Sequence, residues 1–218
     1  RIFNGDGSEA EMCGNGIRCV ALYARQRGLI TRDEFSVQTL AGPRWIQIIS
    51  SSPPKVRVDM GQPILNPADI PVQGATGNNQ LAITLEGQCF NVTAVSMGNP
   101  HAVILVENID HVPLDIWGPR LEKAPHFPAG TNVEFVQIRS KTEIKVRVWE
   151  RGAGITLACG TGACAALVAC HLLGKTEREA QVYLPGGDLW IEWNNINNHV
   201  YMTGTATEVF RGAISEPK

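Results

Sequence analysis

The chain has 218 residues, with 19 Lys plus Arg against 21 Asp plus Glu and a formal net charge of −2. Hydrophobic residues make up 44% and charged residues 18%, a balance that argues against disorder, and a chain this long buries enough surface to need no disulfide or metal staple. With no basic stretch it offers no footprint for nucleic acid, and no apolar run approaches the ~18 residues of a membrane span.

An apolar stripe of Ile17, Val20, Ala21 and Ala24 predicts a first helix over residues 13–27, closed by Gly28. Alternating runs at 45–49 and 55–60 predict strands, and the Pro- and Gly-containing stretches 61–71 and 74–79 read as connections. Further strands are expected at 81–85, 91–97, 102–106, 133–138 and 143–149, with a short helix over 115–123. The run ACAALVACHLL predicts a second helix over 159–173, ended by Gly174 and buried on most sides because it is apolar all round. Strands at 189–193 and 199–203 follow, with turn chemistry in PGGD (185–188) and NNINN (194–198). This is mostly antiparallel meander grammar. The charges are scattered and are read as solvated faces. The six cysteines fit neither a small disulfide framework nor a zinc site, so reduced thiols are expected, with Cys19, Cys89, Cys164 and Cys170 in the core.

The most informative feature is an internal match at one fixed offset. Cys13-Gly14-Asn15-Gly16 falls on Cys159-Gly160-Thr161-Gly162, and Arg1-Ile2-Phe3-Asn4 falls on Arg147-Val148-Trp149-Glu150. Both copies read as strand, Gly-rich turn, C-G-x-G and apolar helix, which predicts two homologous lobes related by a pseudo-twofold axis. The second copy follows a long series of strands and the first follows almost nothing, so a segment preceding Arg1 is expected.

A thiol followed by Gly-x-Gly at a helix start lies beside unpaired backbone N–H groups and the positive end of the helix dipole. Both favour thiolate, and the thiols are expected to ionise more readily than a free cysteine. The same N–H groups form an anion site. Two such sites face to face would hold one carboxylate between two helix ends, with a thiol on each side. One thiolate could remove the proton beside that carboxylate while the opposing thiol returns one to the other face, inverting a stereocentre by general acid–base catalysis with no cofactor.

Four blocks carry a resemblance: FNGDGSEAEMCGNGIRC (3–19), VSMGNPHAV (95–103), TNVEFVQI (131–138) and ERGAGITLACGTGACAA (150–166). In this order, together with the tail from Tyr201 to Gly212, they resemble the diaminopimelate epimerase family. The resemblance implies interconversion of LL- and meso-diaminopimelate in lysine biosynthesis. It implies an α+β fold of two lobes, each a curved, mostly antiparallel sheet around a central helix, with the first lobe truncated. Residues 1–60 would be the remnant of the N-terminal lobe, completed by 204–218, and 61–203 the C-terminal lobe. It implies Cys13 and Cys159 as acid/base thiols, with His101 and Glu150 assisting proton traffic. Gly14, Asn15, Gly160 and Thr161 would supply amides to the reacting carboxylate, and Glu150 would bind the reacting amino group. Asn4, Asn99, Asn132 and Arg151 would hold the far amino-acid end, since Arg grips a carboxylate with two bonds and Asn both donates and accepts. A small-molecule substrate, no metal, no nucleic acid, no membrane, a homodimer and a cytoplasmic setting (or a plastid) complete the implication. The family's leading block F-x-K-x-x-G-x-G-N-D-F is absent from these residues, and Ile155 stands where Glu or Pro is usual. Within the fold, the rival reading is a proline racemase or hydroxyproline epimerase, which carries C-G-H-G where this chain has Asn15 and lacks the Glu150–Arg151 pair. Phenazine-type isomerases lack the paired cysteines. A thiol redox or binding protein would favour a C-x-x-C motif, which does not occur.

Overall fold

The computed structural model describes residues 1, 7, 9 and 12–213. Its elements in chain order are α1 (Gly14–Gln26), β1 (Glu34–Thr39), β2 (Gly42–Ser51), β3 (Pro54–Asp59), β4 (Gln80–Leu85), β5 (Gln88–Ser96), β6 (Pro100–Leu105), α2 (Leu114–Glu122), β7 (Asn132–Ser140), β8 (Glu143–Glu150), β9 (Gly154–Thr156), α3 (Gly160–Leu172), β10 (Glu179–Leu184), β11 (Gly187–Trp193) and β12 (Val200–Thr205). The chain is α+β, with a mostly antiparallel sheet. Among the described residues one path of hydrogen-bonded strands runs β1-β2-β3-β12-β11-β10-β8-β7-β6-β5-β4, and β9 pairs with β8 off that path.

Two neighbours on this path are parallel, β6 with β7 and β8 with β10. Each needs a crossover, because parallel strands lie too far apart end to end for a hairpin. The β6–β7 crossover contains α2 and the β8–β10 crossover contains α3. The two helices lie on opposite faces. Leu114 and Leu121 of α2 join one apolar cluster with Ile83, Val92, Ile104 and Phe135, whereas α3 joins another with Val95, Val136, Val146, Val182, Ile191 and Met202. The sheet curls around α3: every residue from Gly162 to Cys170 is buried, which is why the sequence there is apolar all round.

Helix α1 packs in the same cluster as α3 and is amphipathic. Its buried stripe is Gly14, Ile17, Arg18, Ala21 and Leu22, while Val20 faces out. Arg18 and Glu134 correct the expectation that the charges lie on solvated faces: Arg18 is 8% exposed and Glu134 is fully buried. Cys164 and Cys170 are core residues as expected, but Cys19 and Cys89 are exposed, because α1 turns Cys19 outward and Cys89 begins an edge hairpin. Strand β12 pairs with β3, Gly204 and Thr205 lying opposite Val56 and Lys55. Among the described residues no helix is long and apolar enough to cross a membrane.

Helix α2 braces the end of β8 from which the site residues emerge. Trp149 Nε1 donates to Glu122 Oε2 at 2.6 Å, and the Gly152 amide donates to Glu122 Oε1 at 3.2 Å. Gly118 makes room for that indole: a Cβ there would lie 2.6 Å from the ring. Gly→Ala inside a helix ordinarily gains about 1 kcal/mol. Here the sign reverses, and we expect Gly118→Ala to cost about 1–3 kcal/mol by overpacking; urea unfolding measures it, and a stabilised variant would contradict the packing described.

Burial pushes the Cys170 thiol up to about 12 and raises Cys164 as well. A thiol in the unfolded chain ionises near pH 8.5. Above that pH the unfolded state binds fewer protons than the native state, so this contribution to stability, fully present at lower pH, is lost as pH rises. Relative to Cys170→Ala, the wild type is expected to lose about 1.4 kcal/mol per pH unit once above roughly pH 9. Denaturant melts of both proteins across that range check it, and a constant difference would refute it.

Candidate active site

The two C-G-x-G segments fold into the same local structure. Cys13 and Cys159 are the N-caps of α1 and α3, with φ/ψ of −130°/113° and −123°/116°. Each Sγ accepts from the backbone N–H three residues on, Gly16 or Gly162, at 3.4 Å. Both helices have 13 residues, so the repeat continues through their whole length to Gly28 and Gly174, each at φ 68°. The left-handed backbone there is what glycine supplies at a helix C-terminus.

The helix starts abut. A Cβ on Gly14 would lie 3.4 Å from Gly160 Cα and 3.0 Å from Met202 Cε, and a Cβ on Gly160 would lie 3.4 Å from Gly14 Cα and 3.0 Å from Met202 Sδ. A side chain on either glycine would have to displace the end of Met202. Asn15 ties the helix starts further, its Nδ2 donating to Ala158 O at 3.3 Å. Below α1, Arg18 donates to Gly14 O at 3.1 Å and to Asn15 Oδ1 at 3.0 Å. The cysteines and the helix ladders satisfy the third and fourth amides of each helix, through Gly16 and Ile17 or Gly162 and Ala163. The first two, of Gly14 and Asn15 and of Gly160 and Thr161, have no acceptor within a helix and converge on the cleft.

That cleft encloses about 490 Å³ and is lined by Cys13, Gly14, Asn15, Asn99, Glu150, Arg151, Cys159, Gly160 and Thr161. Its size is in the range of small-molecule sites, roughly 300–1,000 Å³. Glu150 Oε1 accepts from Thr156 Oγ1 at 2.5 Å, and Arg151 Nη1 donates to Ala129 O at 3.0 Å. Two of the expected residues stand behind the wall. Asn132 uses both ends of its amide, Oδ1 accepting from the Arg151 N–H at 2.9 Å and Nδ2 donating to Pro100 O at 2.9 Å. His101 is fully buried, Nδ1 lying 2.7 Å from Glu134 Oε1 and Nε2 3.0 Å from Asn99 Oδ1. Asn99 Nδ2 continues to Thr161 Oγ1 at 3.4 Å, and Thr161 Oγ1 to Cys159 Sγ at 3.4 Å. Asn4 lies outside the described residues.

Cys159 departs from the expectation that a helix start eases ionisation. Burial pushes its thiol up strongly, and the carboxylates of Glu150 and Glu134 push the same way; the contacts to Thr161 and the Gly162 amide oppose them only in part. Cys13 is only partly buried.

Arg44 also lines the cleft, together with Glu9, Met12, Ala41, Met97 and Gly98, and sequence reasoning passed over all of them. Arg44 had no distinguishing signal, being the single charge in the strand GPRWIQIISS and part of no motif. Glu134 had one: it is the acidic residue inside the apolar run NVEFVQI. Neither Arg44 nor Arg151 belongs to an ion pair among the described residues.

Comparison with known proteins agrees over nearly the whole chain. A protein from Acetivibrio thermocellus named diaminopimelate epimerase is 54% identical over 217 residues, covering 98% of this chain and 78% of that protein. One of the same name from Methanococcus maripaludis is 50% identical over 217 residues, covering 98% and 78%. Among solved structures, a hydroxyproline epimerase from Agrobacterium vitis superposes with a TM-score of 0.65 at 16% identity, covering 93% of this chain and 65% of that one. A phenazine biosynthesis protein from Bacillus anthracis gives 0.60 at 13%, covering 91% and 74%. These two likenesses carry the fold alone. The family model described as diaminopimelate epimerase matches residues 1–66 and 93–209, and the chain belongs to the diaminopimelate epimerase family.

Proposed function

We propose that this chain catalyses the interconversion of LL- and meso-diaminopimelate in lysine biosynthesis, with Cys13 and Cys159 as the two acid/base thiols. The observation that carries the reading is the meeting of two cysteine-capped helix starts in one cleft, beside Glu150 and Arg151. The amides of Gly14, Asn15, Gly160 and Thr161 bind the reacting carboxylate. As the α-proton leaves, negative charge flows onto that carboxylate, where four preoriented N–H groups and two helix dipoles stabilise it.

The environment of Cys159 supports one order of events. Deeply buried and beside Glu150, it starts as the thiol and donates, so Cys13 removes the α-proton from the opposite face. After one turnover Cys13 carries the proton and Cys159 is the thiolate, the arrangement that runs the reverse epimerisation. Glu150 holds the α-amino group. Arg151 holds the distal carboxylate, Asn99 and Asn4 share that end, and Asn132 acts on it through the Arg151 backbone. The reaction written this way needs no cofactor. The same reading takes residues 1–60, completed by 204–218, and 61–203 as the two lobes. It also takes the protein as a cytoplasmic homodimer, to which the exposed Val209 and Phe210 of the tail contribute.

Incubation with LL-diaminopimelate in heavy water should give meso product carrying deuterium at the α-carbon. Exchange with proline but not with this substrate would overturn the assignment. Cys13→Ala and Cys159→Ala should each abolish epimerisation, and turnover retained by either variant would refute the two-thiol mechanism. Arg151→Ala should raise KM about 10-fold or more, the loss expected for charge-assisted hydrogen bonds; an unchanged KM would remove Arg151 from the substrate grip.

A further inference from the structure

Glu134 touches no part of the substrate in the roles above, yet it is the most deeply buried acid beside the cleft. It projects from β7 into the core around α3, and both it and His101 are fully shielded from solvent. A Cβ on Gly162 would lie 2.7 Å from Glu134 Oε1 and 3.3 Å from Cys159 Sγ, so the carboxyl and the thiol flank the same small space. Oε2 has no hydrogen-bond partner, and no Lys or Arg pairs with the group among the described residues.

We propose that Glu134 is a positioning residue that shares one proton with His101 Nδ1 and thereby sets the direction of every hydrogen bond from His101 to Cys159. The inference rests on the reading of Cys159 as an acid/base thiol. Two arrangements of the chain are possible on geometry. In one, Glu134 is a bare carboxylate accepting from Nδ1–H, Nε2 is a lone pair, the Asn99 amide is turned around, and the Thr161 hydroxyl is spent on Asn99. In the other, one proton lies between Oε1 and Nδ1, and Nε2–H donates to Asn99 Oδ1. Asn99 Nδ2 then donates to Thr161 Oγ1, leaving the Thr161 hydroxyl proton for Cys159 Sγ.

The first leaves a net negative charge in the interior with one oxygen unpartnered, which is costly. The second is net neutral whichever atom holds the shared proton. Burial raises the Glu134 carboxyl, in keeping with the second. Which ring nitrogen of a histidine carries its proton is set by the partner of the other nitrogen. Here that partner is Glu134, and the consequence three residues along the chain of contacts is the Thr161 hydroxyl aimed at the sulfur. A donor there favours the thiolate that Cys159 must become after giving up its proton.

The test uses the whole enzyme with ¹⁵N-labelled histidine. Nitrogen NMR of the wild type should show His101 Nε2 protonated; an unprotonated Nε2 overturns the proposal without reference to activity. Glu134→Gln, whose amide can donate to Nδ1, should keep that signal and keep kcat within about threefold of wild type. Glu134→Met, which offers Nδ1 nothing, should mix the two ring tautomers and lower kcat about 10- to 100-fold with KM little changed. Full kcat in a folded Met variant, or a Gln variant as slow as the Met one, overturns the proposal. If the Met variant does not fold, the wild-type spectrum and the Gln variant decide. A wild-type enzyme without turnover would sink the functional reading, while the tautomer still reports on Glu134.

Discussion

A Cβ on either Gly14 or Gly160 would come within 3.4 Å of the other residue's Cα, so the starts of α1 and α3 meet as glycine on glycine above Met202. Everything in the site hangs from that contact. It brings together four amides that have no acceptor within a helix and leaves one thiol on each side. It also explains why Met202 is fully buried at this position of β12: a long, unbranched side chain fills the wedge that two glycines leave. The closing strand β12 thus does two tasks at once, pairing with β3 and supporting the junction of the helices.

The contact constrains the surroundings as well. Two helix N-termini pointing at one spot repel each other, each carrying about half a positive charge. Among the described residues the carboxylates that line the cleft are Glu9 and Glu150, and Glu150 is engaged with Thr156. Beneath the helix starts lies another cation, Arg18, whose donors go to the carbonyl of Gly14, the amide oxygen of Asn15 and the carbonyl of Thr205. Two helix starts meeting above a buried cation are organised for an anion, and on the proposed reading that preorganisation would lower the cost of charge developing on a bound carboxylate.

Much of this was legible in the residues, for identifiable reasons. The repeat predicted equivalent helices because C-G-x-G is rare enough to mark register, and the equivalence extends to cap dihedrals and helix length. The all-apolar run of α3 announced its burial directly. Strands β1 and β10 were missed although their inward residues alternate, Phe35 and Val37 in one and Ala180, Val182 and Leu184 in the other. Their intervening Glu, Gln and Ser dilute the signal, and Ala is a weak strand former. The parallel pairings had no local signature, since they follow from where α2 and α3 cross. Asn132 and His101 were expected in the site on resemblance alone, and their place behind its wall was not legible, because depth depends on strands remote in sequence.

Backbone symmetry and chemical asymmetry meet at the two thiols. The helix starts are near copies, so the capping amide and the dipole act on Cys13 and Cys159 alike. What differs is the packing around them. α3 is wrapped by the sheet and α1 lies at its margin, so Cys159 is buried beside Glu134 and Glu150 while Cys13 opens to the cleft. Two identical thiols would compete for the same role, both charged or both neutral at a given pH. A reaction that inverts a stereocentre needs one proton donor and one acceptor at the same moment. On the proposed reading, the duplicated motif would supply two equivalent positions on opposite faces of the substrate, and the unequal burial of its two copies would turn equivalence into an acid and a base.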